Sequence, residues 1–295
     1  METTELLKKV RKIELKTRGI TNQVFSGEYH SKFKGRGMAF SEVRKYQAGD
    51  DVRFIDWNVS ARMNDVYVKL FTEEREMTVM LLVDLSASEL FGSVGPSKLE
   101  IIAELSALLA FSAIKNNDRV GLILFTDKVE RFVPPKKGRA HVMRVVTEIL
   151  NARPTSTGTD LVCALDLLGH VTRRRCVAFV LSDFIADGYQ RALRVAARRH
   201  DVIPVEVSDP NEILLPDLGI ALFEDLESGD VVEIDTSNPK VRQRYQLALS
   251  KSRAERHQFF RRMRLDHVGI STDRPYVAPI VELFQRRQKR ARGLA

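Results

Sequence analysis

Four apolar runs constrain this chain more than any other feature of it. Met77–Val83, Arg119–Phe125, Cys176–Leu181 and Val202–Val207 carry almost no alternation of polar and apolar residues. A strand with one face in water alternates with period two, whereas a strand covered on both faces does not. Among these runs lie segments with helical patterning: Ser97–Ile114, Arg139–Leu150, Asp160–Gly169 and Gly188–Arg199. Ser97 stands where an N-cap is needed, and Val142, Val146 and Ile149 share one helical face. Buried strands alternating with helices predict an α/β fold, a mainly parallel sheet with helices on both faces. Val129–Val133 follows Arg119–Phe125 after a tight turn and is expected as an antiparallel edge strand.

Three zones follow from the pattern. Residues 1–75 read as a charged N-terminal helix over the first twenty residues and a small β-rich element. Gly27, Gly35, Gly37 and Gly49 form turns there, and Val66–Phe71 forms a strand. Residues 76–235 form the α/β domain, closing with a hairpin over Ile220–Ile234 that turns at Ser228–Gly229–Asp230. Residues 236–295 read as a C-terminal helical segment: a long basic helix over Pro239–Arg264, then a last helix from about Ala278 into a basic tail.

Of the 295 residues 44% are apolar and 29% charged, which fits a soluble globular chain. The net charge of +8 gathers at the ends, in Lys8, Lys9, Arg11, Lys12, Lys16 and Arg18 and in Arg286, Arg287, Lys289, Arg290 and Arg292. These are read as solvated termini, not a specific nucleic-acid site, because no zinc finger, RNA-recognition signature or aromatic-interleaved basic groove accompanies them. The N-terminus carries no signal-peptide pattern. The longest apolar region, Ile101–Ile114, is too short to span a bilayer and contains Glu104. A cytoplasmic location without a transmembrane segment is expected, with Cys163 and Cys176 as buried free thiols.

The chemistry gathers where two of the apolar runs end. One gives Met80-Leu-Leu-Val-Asp84-Leu-Ser86-Ala-Ser88, the other Phe179-Val-Leu-Ser-Asp183, and Ser156-Thr157-Gly158-Thr159-Asp160 lies between them in sequence. In open α/β sheets ligands bind beyond the carboxyl ends of the strands, where strand order reverses. Carboxylates and hydroxyls suit a hard divalent cation, Mg2+ or Mn2+. The candidate ligands are Asp84, Ser86, Ser88, Thr159 and Asp183, with Thr157 as an alternative to Thr159. So few anionic ligands would leave a coordination position open for an acidic residue on a protein partner. Without a metal, Asp84 caps its loop and the serines form a turn, and the chain is a metal-independent scaffold with a degenerate site.

A second patch, Asp50, Asp51, Arg53, Asp56 and Trp57, is a candidate partner surface. The competing expectation is a packing and salt-bridge corner that joins the small element to the sheet, with Trp57 as its buried anchor. Catalysis finds little support. A metal-dependent phosphohydrolase of the haloacid-dehalogenase type needs a second acid two residues after Asp84, where Ser86 stands. Gly92-Ser-Val-Gly-Pro-Ser-Lys98 lacks phosphate-loop spacing, and the six histidines form no HExxH and no evident triad. A non-enzymatic binding protein is expected.

The motif DLSAS resembles the D-x-S-x-S signature of the von Willebrand A fold. TGTD at Thr157–Asp160 is similar to that fold's threonine loop, and SDF at Ser182–Phe184 to its second aspartate loop. Together they resemble a metal-ion-dependent adhesion site. The stretch GRGMAFSEVRKYQAGDDVRFIDWNVSAR from Gly35 to Arg62 resembles a hallmark of the bacterial domain-of-unknown-function fifty-eight family, a von Willebrand A-like group. Arg75 in FTEER and Phe125 in DRVGLILF fit the same pattern, and the resemblance runs over residues 24–210. It implies a cytoplasmic or membrane-associated protein that assists a MoxR-type AAA+ ATPase in the assembly or activation of client proteins.

Overall fold

The computed structural model describes residues 39–72, 76–90, 96–213, 215–224 and 229–291, together with Arg11, Ile13, Glu14 and Thr17, which are helical. The rest of the expected N-terminal helix, Gly27, Gly35, Gly37 and Arg75 lie outside the described residues. The chain divides into two units, Phe33–Met77 and a larger one made of Met1–Lys32 with Thr78–Ala295.

In the small unit β1 (Ala39–Lys45) pairs antiparallel with β2 (Tyr67–Thr72), and α1 (Trp57–Met63) lies between them in sequence. Asp56 caps α1 by accepting from the N–H groups of Asn58 and Val59, and Asn64 ends it in the left-handed conformation at φ 55°. Arg44 pairs with Asp50 at 2.7 Å and Arg53 with Asp51 at 2.6 Å. Trp57 is 70% exposed, which overturns the expectation of a buried anchor. As the first residue after the cap it sits on a helix that has no buried residue.

The large unit follows the predicted alternation: β3 (Thr78–Asp84), α2 (Lys98–Lys115), β4 (Arg119–Phe125), β5 (Val129–Lys136), α3 (Arg139–Leu150), α4 (Leu161–Val171), β6 (Val177–Ser182), α5 (Gln190–Arg199) and β7 (Asp201–Ser208). It continues with α6 (Pro210–Ile213), a hairpin of β8 (Ile220–Glu224) and β9 (Val231–Asp235), α7 (Pro239–Arg262), β10 (Val268–Ser271) and α8 (Val277–Ala291). Residues 225–228 of the expected hairpin turn are not among those described. Six strands form one sheet in the order β10-β7-β6-β3-β4-β5. All neighbours are parallel except β5, the expected antiparallel edge strand. The fold is α/β, a mainly parallel sheet with helices on both faces, as expected.

Both sheet faces are covered. Met80, Leu82, Ile123, Phe125, Ala178, Val180 and Val202 join Leu161, Leu165 and Leu168 of α4 and Leu193 of α5 in one apolar cluster. The alternate residues Val79, Leu81, Val83, Leu122, Leu124, Phe179 and Leu181 are equally buried, and α2 and α3 pack together against β3 and β4. Double burial is why these strands read as unbroken apolar runs.

Two parts of the C-terminal segment differ from expectation. It is not wholly helical, because β10 extends the sheet beside β7, with Val268 opposite Val205 and Ile270 opposite Val207. Nor is its basic end wholly solvated. Arg287 is buried against Asp201 and Asp266, and Arg290 reaches Asp266 at 2.6 Å. Glu206, near the carboxyl end of β7, anchors the second half of α7 through Arg256 and His257, each at 2.7 Å. Burial alone would raise the Glu206 carboxyl, but Arg256, His257 and Arg253 outweigh it and hold it below the usual glutamate value. Cys176 is buried and Cys163 half-buried, and both are free thiols. No helix among the described residues is long and apolar enough to cross a membrane.

The first strand of the large unit decides where a ligand can sit. From β3 the chain moves to β4 on one side and later returns to β6 on the other. Strand order therefore reverses at β3, and the crevice this creates opens at the carboxyl ends of β3 and β6.

Candidate metal-binding site

Asp84 is the last residue of β3 and is fully buried. Its Oδ1 accepts the N–H of Ser86 at 2.9 Å, closing a turn of the kind short acidic side chains make with their own backbone. Its Oδ2 accepts the hydroxyl of Ser182, at the end of β6, at 2.6 Å. The chain then enters a 3-10 turn over Ala87–Leu90, started by the N–H of Glu89 donating to the Ser86 carbonyl. The Ser86 and Ser88 hydroxyls lie 3.0 Å apart. The turn carries Glu89 back under the loop, where it is fully buried and its Oε1 accepts the Asp183 N–H at 3.0 Å.

At the end of β6, Asp183 Oδ1 accepts the N–H of Ile185 at 2.9 Å. Phe184 between them has φ 57°, an uncommon conformation for a residue of its bulk. Its ring is buried against Tyr189 and Phe260, and its N–H donates to Ser182 Oγ at 3.0 Å. The third loop runs alongside the first. The Thr157 carbonyl accepts the Ala87 N–H at 3.0 Å, and Asp160 donates its N–H to the Thr126 carbonyl at 2.9 Å while its side chain caps α4. Thr159, on this loop, is half-buried, whereas Thr157 is exposed.

Carboxylate oxygens of Asp84, Glu89 and Asp183 all lie within 4.8 Å of one another. Burial, then the charge of Asp183, pushes the Asp84 carboxyl up to about 6 against the hydrogen bonds from Ser182 and Ser86. Glu89 is held well above the usual glutamate value by burial and by both aspartates, with Lys98 opposing. Lys98, the first residue of α2, is itself fully buried. Its ammonium lies 3.0 Å from Asp183 Oδ2 and 2.7 Å from Glu212 Oε1. Burial would strip its proton, but Glu89, Asp183 and Glu212 more than compensate and hold it above the ordinary lysine value.

The donor set is therefore all oxygen, with three carboxylates and a hydroxyl pair on one short turn and the end of a neighbouring strand. Glu89 Oε2 is buried and has no hydrogen-bond partner. Buried acceptors are rarely left so, and an oxygen-ligated cation is the kind of group that satisfies one. The residues fit a hard divalent cation in this respect.

Of the residues singled out from sequence, Asp84, Ser86, Ser88 and Asp183 share this crevice, and Thr159 stands on the adjacent loop. Asp50, Asp51, Arg53, Asp56 and Trp57 belong to the Phe33–Met77 unit. Glu89, Lys98, Ser182 and Glu212 are not among the ligands expected from sequence, although Ser182 stands in the SDF motif. Lys98 did carry a signal, since a cation at the first position of a helix opposes the helix dipole and calls for anionic partners.

Over residues 42–255 the chain matches the family described as Protein of unknown function DUF58. It is 32% identical over 295 residues to an uncharacterized protein of Mycobacterium bovis, covering 99% of this chain and 92% of that one. A crystal structure of the conserved hypothetical protein BatB from Bacteroides thetaiotaomicron is similar at 19% identity, over 72% of this chain and 99% of that one, with a TM-score of 0.49. The SpRpn10 VWA domain is similar at 14% identity, over 45% of this chain and 76% of that one, with a TM-score of 0.35. With a family match spanning most of its length and a relative aligned nearly end to end, the chain belongs to the DUF58 family of proteins of unknown function.

Proposed function

We propose that this protein is a divalent-metal-dependent protein-binding module whose partner presents an acidic residue to the crevice at the ends of β3 and β6. One observation carries the reading: three buried carboxylates, Asp84, Glu89 and Asp183, converge within 4.8 Å where strand order reverses. Asp84, Ser86, Ser88, Thr159 and Asp183 would hold the ion, Mg2+ or Mn2+, with Glu89 as a third carboxylate at the same point. A bound ion supplies an electrophilic coordination position that a partner's carboxylate can fill. The chain's own groups orient the donors. Ser182 and the Ser86 N–H fix both oxygens of Asp84, and the Ile185 N–H fixes one oxygen of Asp183.

The role is binding, not catalysis. Two residues beyond Asp84 stands the Ser86 hydroxyl, beside Ser88, where a haloacid-dehalogenase-type phosphohydrolase requires an acid. The family resemblance makes a MoxR-type AAA+ ATPase the partner of choice, with the protein acting in the cytoplasm on the assembly or activation of clients. The test is isothermal titration of such an ATPase, purified from the same organism, into wild-type and Asp84→Ala chains, each with Mg2+ and with EDTA. Binding by the wild-type chain in Mg2+ alone is expected. Equal affinity in all four conditions would overturn the metal bridge and leave a metal-independent scaffold.

A further inference from the structure

We infer that Lys98 is a tethered counter-ion of the acidic crevice, and that a divalent cation binds by displacing its ammonium from Asp183 toward Glu212. The inference rests on the metal-binding reading above and adds a regulator of that site from within the chain.

Lys98 is placed against two general preferences. It is fully buried, and it puts a positive charge at the first turn of α2, where the helix dipole favours anions. A buried ammonium persists only when it is paired and hydrogen-bonded, and it has three protons to donate. Two acceptors are in place, and they differ in kind. Asp183 Oδ2, at 3.0 Å, belongs to the triad of converging carboxylates. Glu212 Oε1, at 2.7 Å, lies outside the triad, on α6. The other oxygen of Glu212 accepts the Asp209 N–H at 3.0 Å, so Glu212 is a fixed second station and not a swinging arm.

The triad is thus only partly neutralised. Glu89 Oε2 remains without a hydrogen-bond partner. Asp183 divides its oxygens between the Ile185 N–H and the ammonium. An ion that ligates Asp183 Oδ2 meets the ammonium at the same atom, and two cations a few ångströms apart repel strongly in a water-poor crevice. Removing the ammonium removes this competitor. Removing Glu212 leaves the ammonium with the triad's own carboxylates, Asp183 and Glu89, as its partners and strengthens the competition. The two substitutions therefore move metal affinity in opposite directions, which a merely structural role for Lys98 would not produce.

The test is Mn2+ binding to the full chain, read from the paramagnetic resonance signal of the free ion, with folding followed by circular dichroism. Wild type is compared with Lys98→Met, Glu212→Gln and Asp84→Asn. Lys98→Met is expected to tighten Mn2+ binding by about tenfold or more. Glu212→Gln should weaken it several-fold, and Asp84→Asn should weaken it most. Binding that is lost in Asp84→Asn but indifferent to Lys98→Met and Glu212→Gln retains the metal site and overturns the counter-ion. If Lys98→Met does not fold, Glu212→Gln decides, and unchanged or tighter binding there overturns the inference. Mn2+ bound equally by all four chains, or by none, overturns the metal reading together with it.

Discussion

Replacing Asp84 by asparagine separates what this residue costs the fold from what it supplies to the site. Asp84 is fully buried beside two other carboxylates, and its carboxyl is raised from 3.8 to about 6, first by burial and then by the charge of Asp183. An acid whose folded value exceeds its unfolded value adds stability below the unfolded value and loses it as pH rises through the folded one. The loss therefore falls between about pH 4 and pH 6, and above that range the metal-free protein bears all of it. Two pH units at about 1.36 kcal/mol each make this roughly 3 kcal/mol. Asparagine keeps the shape without the charge. Its carbonyl can still accept the Ser86 N–H, but its amide cannot accept the Ser182 hydroxyl, a loss of about 1 kcal/mol. In EDTA at about pH 7.5 the Asp84→Asn chain is expected to be more stable than wild type by about 2 kcal/mol, shrinking to nearly nothing at about pH 4.5. Urea denaturation at the two pH values reads both numbers. Added Mn2+ should raise the wild-type midpoint and leave that of Asp84→Asn in place, since only a ligand bound to the folded state stabilises it. An asparagine variant less stable than wild type in EDTA at the higher pH, or a gap that ignores pH, would refute the reasoning.

Two further outcomes concern the frame around the site. Arg287→Met leaves Asp201 and Asp266 without the guanidinium that both face, so unfolding free energy should fall by about 3–5 kcal/mol; a fall below about 1 kcal/mol in urea would show that the pair does not hold α8 to the sheet. Trp57→Ala removes a ring that is 70% exposed and should change stability by no more than about 0.5 kcal/mol, whereas a loss of about 3 kcal/mol or more in the same assay would restore the buried anchor.

Most of the sheet was legible because its physics is local. β3, β4, β6 and β7 are covered on both faces, so each appears as an apolar run that needs no knowledge of its neighbours. The helices followed from caps as much as from periodicity. Ser97 accepts from the Glu100 N–H and Asp160 from the Val162 N–H, as polar residues do just ahead of a helix. β10 was illegible for the opposite reason. Val268–Ser271 is four residues with a glycine among them, and only the open edge of β7 makes a strand of it. α1 is one short helix with no buried residue, so it had no apolar stripe to betray it. The size of Trp57 predicts burial, but size says what burial would gain and not whether a surface is there to receive the ring, which is exposed.

The crevice shows where the limit lies. Residue types at strand ends drew attention to Asp84 and Asp183, because position along the chain is enough to put them at the mouth of a parallel sheet. The charges that set their energetics come from elsewhere: Glu89 from a 3-10 turn, Lys98 from the start of α2 and Glu212 from α6 after β7. Each is ordinary as a sequence symbol, since isolated charges are solvated in most chains. In the sequence Lys98 stands out as a lysine after glycines that lack phosphate-loop spacing. Its signal lies in its place, a lysine at the first turn of a helix as apolar as Ile101–Ala113. The dipole there favours anions and the helix is destined for the interior, so the lysine has to meet carboxylates brought from other parts of the chain. The acids among the expected ligands at that end of the sheet are Asp84 and Asp183, and the ammonium contacts one of them, Asp183, at 3.0 Å.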